Sequence, residues 1–169
     1  PDRGRTPRGR GTVGPQYVDM DFTPFGAEAF VPDAVTRQLA LFVFEKHDFG
    51  ALALELGARA ENQRIDVDAA LPDYDETAYS LSAGTVWTLS ERYSTALNVT
   101  RSQRHPQSAE LYANGPHLAI ARFEIGDANL KKETANTIDL TLHRHDESGV
   151  HWSLSAFRNE FADFVYAMD

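Results

Sequence analysis

Apolar and polar residues alternate along several stretches of this chain with few exceptions. Between residues 79 and 89 the odd positions are mainly apolar or aromatic, whereas most even positions carry Ser, Gly or Thr. The same alternation returns at residues 138–142 and 152–156. Because successive side chains of a β-strand point to opposite faces, this pattern predicts strands with one apolar face and one polar face.

The connections between the predicted strands alternate in length. Short turns are expected near residues 46–50, 91–93 and 147–149, and long loops at residues 66–77 and 103–132. This alternation is typical of transmembrane β-barrels, which have short turns at one end and long loops at the other. We therefore predict an all-β fold, an antiparallel meander of about six to seven long strands with its long loops at one end. The predicted strands are residues 17–25 (an extended piece), 36–44, 51–67, 79–90, 94–103 and a last hairpin around 138–142 and 152–156.

Residues 1–16 precede the periodic part and are rich in Gly, Pro and Arg. This composition is typical of a loop or a disordered segment, because it offers little apolar surface to bury. We expect residues 1–16 to be loop or disordered and residues 17–169 to form the barrel. Because the chain starts with Pro1 and stops just after an aromatic-rich strand, we also expect both ends to be cuts in a longer protein.

The register of the last hairpin follows from the alternation. If both apolar sets share one face, Leu142 lies opposite Leu154, and residues 147–149 form a three-residue turn. Such turns end with a residue in the left-handed region, which Gly149 adopts readily. The same register predicts that His145 lies opposite His151, with His143 on the same polar face.

The overall composition excludes some classes of protein and permits others. With 42% hydrophobic and 24% charged residues the chain resembles a soluble protein, yet a barrel wall meets lipid only at every second residue. No apolar run approaches the ~20 residues that a spanning helix needs. The net charge of −9 argues against a nucleic-acid partner. Motifs such as Gly-x-Ser-x-Gly and His-Glu-x-x-His are absent, so we expect no enzyme.

The long loop carries several motifs in succession. They are Arg104-His105-Pro106, the segment Glu-Leu-Tyr-Ala-Asn-Gly-Pro-His at 110–117, Phe-Glu-Ile-Gly at 123–126 and Asn-Leu-Lys-Lys-Glu at 129–133. In these motifs the chain resembles TonB-dependent outer-membrane receptors. The second and third motifs, together with residues 26–32 and 39–45, are similar to the zinc-uptake receptors of Gram-negative bacteria. Ile120 stands where that pattern has Thr.

The resemblance implies a 22-stranded barrel in the outer membrane, closed by an N-terminal plug domain and energised by the TonB complex. The partners are then TonB, the plug and outer-membrane lipid, with zinc or a zinc complex as cargo and no resident cofactor. The plug and the TonB contact are not expected within this chain. The chain would be an interior piece of the barrel with two unpaired edges.

The same motifs suggest metal ligands in the long loop. His117 is the first candidate, because it follows a turn signal and matches the His of the motif, and Glu110 and Glu124 are candidate carboxylate ligands. His117 has the alternative of simple packing within the loop, and Glu110 that of holding the loop base by hydrogen bonds. Further loop groups are His105, Asp127, Asp73, Asp75 and Glu76, the last three expected to be solvated.

Other interpretations remain open at this point. His143, His145 and His151 are either ordinary polar wall residues or a relay at the exit from the lumen. The cargo is alternatively a siderophore or haem. A soluble β-sandwich that binds a metal or other ligand is an alternative from another class, and it predicts long loops at both ends.

Overall fold

The computed structural model describes residues 8–26, 29–68, 70–118, 121–146 and 149–167. The elements in chain order are β1 (Arg8–Phe22), β2 (Ala34–Asp48), β3 (Leu52–Val67), β4 (Tyr74–Thr88), β5 (Tyr93–Arg104), α1 (Ser108–Tyr112), β6 (Asn114–His117), β7 (Arg122–Ile125), β8 (Glu133–Arg144) and β9 (Trp152–Ala162). The seven long strands form one antiparallel sheet in the order β1-β2-β3-β4-β5-β8-β9, and β6 pairs with β7. The predicted all-β meander is confirmed. The alternative of a soluble β-sandwich does not agree with the structure, because the seven long strands lie in one sheet.

The connections fall at two ends, as the alternation of lengths predicts. The described residues that connect β1 to β2, β3 to β4 and β5 to β8 lie at one end, which we call the loop end. Those that connect β2 to β3, β4 to β5 and β8 to β9 lie at the other, which we call the turn end. The longest connection, which carries the candidate ligands His117, Glu110 and Glu124, therefore lies at the loop end.

The sheet has an apolar face and a polar face. On the apolar face Leu41, Leu81 and Leu140 are 51–59% exposed. On the polar face Ser82, Thr100 and Thr137 form one row across three strands. An uncovered apolar surface of this width is what the lipid-facing wall of a barrel presents. Among the described residues, no helix is long and apolar enough to cross a membrane.

The register of the last hairpin is the predicted one, with Leu142 opposite Leu154. Gly149 has a φ of 106°, in the left-handed region that the turn was predicted to need. The ladder ends at the pair of Arg144 and Trp152, so His145 and His151 lie beyond it, and the connection is longer than the predicted three residues. Residues 147 and 148 of the predicted turn lie outside the described residues.

The expectation that residues 8–16 are loop or disordered is wrong, because β1 begins at Arg8 and pairs with β2 along its length. The glycines make room for larger β2 side chains. A Cβ at Gly14 would lie 3.0 Å from the Phe42 ring, and one at Gly11 would meet the Glu45 carboxylate. Pro15 lies within this ladder, opposite Leu41. Residues 1–7 lie outside the described residues.

Two further boundaries were predicted too short. β2 continues to Asp48. Lys46, which was expected in the turn, lies in β2 and forms an ion pair with Glu55 on the neighbouring strand β3. β4 begins at Tyr74 rather than 79, because Tyr74 pairs with Ile65 of β3. The charged start of β4 is thus strand, not loop.

The core lies at the loop end, on the polar face. Ala34, Ile65 and Tyr74 on the wall pack there with Leu111 and Tyr112 of α1. Ile65 is completely buried. The wall and the long loop are therefore packed together by a small hydrophobic core.

The register gives a direct prediction for the last hairpin. The hydroxyls of Thr141 and Ser155 lie 2.9 Å apart on the polar face, and the chain has no cysteine. The double variant T141C/S155C should form a disulfide, because directly opposed side chains lie within reach of one. Non-reducing gels and peptide mass spectrometry measure it. The matched pair T141C/L154C points to opposite faces and should stay reduced; the reverse result contradicts the register.

Candidate functional site

The long connection between β5 and β8 folds back onto the polar face. His105 is 6% exposed, and its Nδ1 lies 2.9 Å from the Tyr74 hydroxyl of β4. Its Nε2 lies 3.2 Å from the carbonyl oxygen of Glu61 in β3. Gln63 of β3 donates from Nε2 to the carbonyl oxygen of Pro106 at 2.9 Å. These bonds fasten the start of the loop to two wall strands.

The two contacts of His105 determine its protonation. A carbonyl oxygen only accepts, so Nε2 carries the proton that is donated to Glu61, and Nδ1 accepts from the Tyr74 hydroxyl. Burial in the interior disfavours the charged imidazole and lowers the pKa of His105 below its ordinary value. His105 is therefore a neutral anchor of the loop rather than a metal ligand, because both of its nitrogens are engaged.

Arg104, the last residue of β5, clamps the base of the loop. Its two terminal nitrogens donate to the two carboxylate oxygens of Glu110 at 2.9 and 3.1 Å, and its Nε pairs with Glu133 of β8. Glu110 also accepts from the backbone N–H of Gln107 at 2.8 Å, in a capping box at the start of α1. The carboxylate of Glu133 accepts from the backbone N–H of Val165 at 2.6 Å. One guanidinium thus joins β5, α1, β8 and the segment after β9.

The hairpin of β6 and β7 docks against the connection between β1 and β2. The backbone N–H of Asn114 donates to the carbonyl oxygen of Phe30 at 2.7 Å. A Cβ at Gly115 would lie 2.8 Å from the Cβ of Phe30, so only glycine permits this approach. The backbone N–H of Gly126, just after β7, donates to the carbonyl oxygen of Ala113 at the end of α1 at 2.7 Å, so the hairpin is held from two sides.

His117 lies on the side of the hairpin that faces Phe30. Its Nδ1 is 2.8 Å from Oε1 of Glu124 on β7, and its ring stacks on Phe30 with centroids 5.0 Å apart. Both side chains are about one-third exposed, at 32% and 36%. A carboxylate at Nδ1 fixes the ring orientation and directs Nε2 away from Glu124.

The structure brings together two of the three predicted metal ligands. His117 and Glu124 are in contact, whereas both oxygens of Glu110 are occupied by Arg104. The alternative role of Glu110, holding the loop base, matches this geometry. No group of three or more His, Cys, Asp or Glu in the part of the chain that the structure describes is arranged to hold a metal ion.

The other acidic residues that were predicted to lie in loops have hydrogen-bonding roles of their own, and two of them, Asp75 and Glu76, lie in β4. Asp73 accepts from the Val67 N–H at 3.2 Å, and Asp75 from the Asn62 side chain at 2.9 Å. Asp127 caps the backbone N–H of Asn129 at 2.8 Å, and Glu76 pairs with Lys132 at 3.0 Å. These contacts hold the loops and the strand ends together.

Of the three histidines predicted to lie together at the turn end, only His143 and His145 have rings in contact among the residues that the structure describes. The rings of His143 and His145 stack with centroids 6.0 Å apart, and His145 Nε2 lies 3.2 Å from the Ser94 hydroxyl. His145 shares the polar face with His143, as the register predicts. The predicted cross-strand pairing of His145 with His151 is wrong, because the ladder ends one residue earlier and His151 Nδ1 lies 3.5 Å from the Asp146 N–H.

Sequence reasoning assigns no role to Arg104 or Tyr74, although these residues anchor the loop. Arg104 is part of the first motif of the predicted long loop, which is the one signal that pointed to it. Tyr74 lies 31 positions before its partner His105, and no local pattern connects them.

Comparison with known families agrees with the topology. Residues 4–169 match the family model described as TonB dependent receptor-like, beta-barrel.

Lowering the pH below about 6.5 should loosen the start of the loop. Because the folded loop lowers the pKa of His105, the open loop binds the proton more readily. The stabilisation is complete above the ordinary pKa and is lost as the pH falls towards the lowered one. Hydrogen exchange at residues 105–113, corrected for intrinsic rates, should therefore speed up at a pH of about 5.5. The variant H105Q does not titrate and should lose this dependence; an unchanged dependence would contradict the role of His105.

Replacing the guanidinium of Arg104 by an ammonium should loosen α1. R104K keeps the charge, but it cannot bind both oxygens of Glu110 and Glu133 together. We expect the exchange of the Leu111 and Ala113 amides to accelerate on the order of tenfold, the loss of about one charged hydrogen bond. R158K is the matched control, since Arg158 forms an ion pair with Glu160 at 74% side-chain exposure. Equal protection in R104K and the parent would contradict the clamp.

Proposed function

We propose that this chain serves zinc import, on the premise that it belongs to the TonB-dependent receptors and matches their β-barrel domain. Receptors of this family are transporters of the Gram-negative outer membrane that act with TonB and contain a plug domain. In this setting the apolar face meets lipid, the polar face lines the lumen, and the loop end faces the outside. Cargo then arrives at the loop end, where the hairpin carries His117.

The contact of His117 with Glu124 carries the proposal. Imidazole is the commonest metal ligand, and ligating histidines almost always donate their second N–H to a carboxylate or a carbonyl. Glu124 at Nδ1 supplies this arrangement and makes Nε2 the ligand atom. The stacking on Phe30 fixes the ring further. His117 is the proposed ligand of the arriving zinc, and Glu124 is the residue that orients it.

The remaining ligands come from elsewhere in the receptor. Zinc takes about four ligands, and the hairpin supplies one of them, the imidazole of His117. Glu110 supports the site from its base through Arg104 rather than by ligating the metal. Affinity is expected to depend on the plug domain and on water, which suits a cargo that must be released.

A second cargo class has one observation in its favour. At the loop end, Phe161, Phe164 and Tyr166 form a chain of ring contacts, with centroids 5.3 and 6.4 Å apart, and each is more than half exposed. Exposed aromatic rings suit a flat, partly apolar ligand such as haem or an aromatic siderophore. An affinity for haem that falls in F164A but not in H117A would favour this cargo over zinc.

The zinc proposal predicts the effect of two variants on zinc binding. H117A removes the ligand, and E124A removes its orienting carboxylate, a change that costs about 10- to 100-fold in affinity at metal sites. Binding of radioactive zinc to outer membranes containing the full receptor measures both. H117A should lose at least as much affinity as E124A.

The matched control is I125A, on the opposite side of the same hairpin, where Ile125 is 78% exposed. Zinc binding by I125A should be unchanged, and all three variants should keep the heat-modifiable mobility of a folded barrel. Parental zinc binding by folded H117A would refute the proposed role of His117.

A further inference from the structure

His143 and His145 lie together at the turn end, far along the sheet from the hairpin of His117. They are two positions apart on β8 and the residue after it, on the polar face that carries Ser94 and Ser153 in the row of His143. Their rings are near parallel, at 22°, with centroids 6.0 Å apart. Two imidazoles therefore share one small region of the lumen wall.

The surroundings hold these rings without blocking them. The backbone N–H of His145 donates to the carbonyl oxygen of Arg92 at 2.7 Å, which ties it to the neighbouring turn. The ring contact of His145 is the Ser94 hydroxyl, a group that rotates freely to another partner. The nearest carboxylate along the chain, Asp146, is paired with Arg144 at 2.7 Å. The pair thus supplies two imidazole rings as potential metal ligands.

We propose that His143 and His145 form a two-histidine station for one divalent transition-metal ion at the exit of the lumen. Metal–nitrogen bonds of about 2.1 Å require both ring nitrogens to approach one ion, and rotation of the stacked side chains achieves this. Two protein ligands leave the other positions to water. This makes the site exchangeable.

The location gives the station its role, and this step rests on the proposed zinc function. Cargo that enters at the loop end leaves at the turn end. A site with two ligands and open positions captures an ion weakly and passes it on, whereas a closed site with four ligands would retain it. The station therefore affects the rate of release into the periplasm rather than binding at the cell surface.

The station can be tested without assuming that zinc is the cargo. The probe is Cu²⁺–iminodiacetate added to the full receptor in detergent, with electron paramagnetic resonance to count the coordinated imidazoles. The parent protein should show a species with two imidazole nitrogens. H143A and H145A should each lose it, with affinity at that site lower by about 10²-fold, because two linked ligands bind far more tightly than one. H47A is the control, since His47 lies at the same end on the apolar face.

Transport measurements separate the station from the site at the hairpin. H143A should bind zinc at the surface like the parent but accumulate it more slowly in energised cells. Persistence of the two-imidazole signal in H117A, together with lost zinc binding, would support both proposals as separate sites. If H143A and H145A retain the two-imidazole signal, the station is refuted. If they lose it and H117A binds zinc normally, the station stands and the role of His117 falls.

Discussion

The architecture of this molecule depends on one constraint, the alternation of successive side chains between the two faces of the antiparallel sheet. Each wall residue belongs to the apolar or the polar face, and a slip of one residue would reverse the whole set. A wall in lipid must also pair its backbone groups internally, so the strands have little freedom to vary. The two proposed metal-binding groups accordingly lie near the ends of the strands, at the hairpin of His117 and at the pair of His143 and His145.

At the loop end a long connection has to be held in place against the strands. A connection as long as residues 105–132 pays a large conformational entropy unless it is fastened. Arg104 fastens it with charge-assisted bonds to Glu110 and Glu133, and His105 and Tyr112 fasten it by burial. The hairpin is thereby carried on a fixed base, and Glu124 and Phe30 fix the imidazole of His117 in turn. The energetic cost is that buried His105 must stay neutral.

The strands and their register were predictable because they follow from local alternation. Leu142 and Leu154 both belong to apolar sets at even positions. Because these sets share one face, the two residues lie opposite each other. β1 was not predictable in this way, because Gly11 and Gly14 indicate a loop when the segment is considered alone. They fit a strand only once the side chains opposite them, Glu45 and Phe42, are known. The composition of a segment describes that segment alone, whereas its fit into a sheet depends also on the side chains of the neighbouring strand.

The candidate site was predictable only in part, and for a similar reason. His117 and Glu124 lie seven positions apart in one hairpin, so a motif could contain both. Glu110 is chemically equivalent to Glu124 as a ligand, and only the fold shows that Arg104 occupies it. The contact of Tyr74 with His105 spans 31 positions and has no local signature. Residue type thus identified possible ligands, and the three-dimensional partners decided their roles.

The central claim is that one face of this sheet meets lipid and the other lines an aqueous lumen. The most direct measurement is a nitroxide scan of single cysteines at residues 135–142 of β8 in the full receptor in lipid bilayers, comparing collisions with oxygen and with a water-soluble nickel complex. The account predicts strict alternation, with even positions such as Leu140 exposed to oxygen and odd positions such as Thr141 exposed to nickel. A profile without a period of two, or with even positions exposed to nickel, would contradict it.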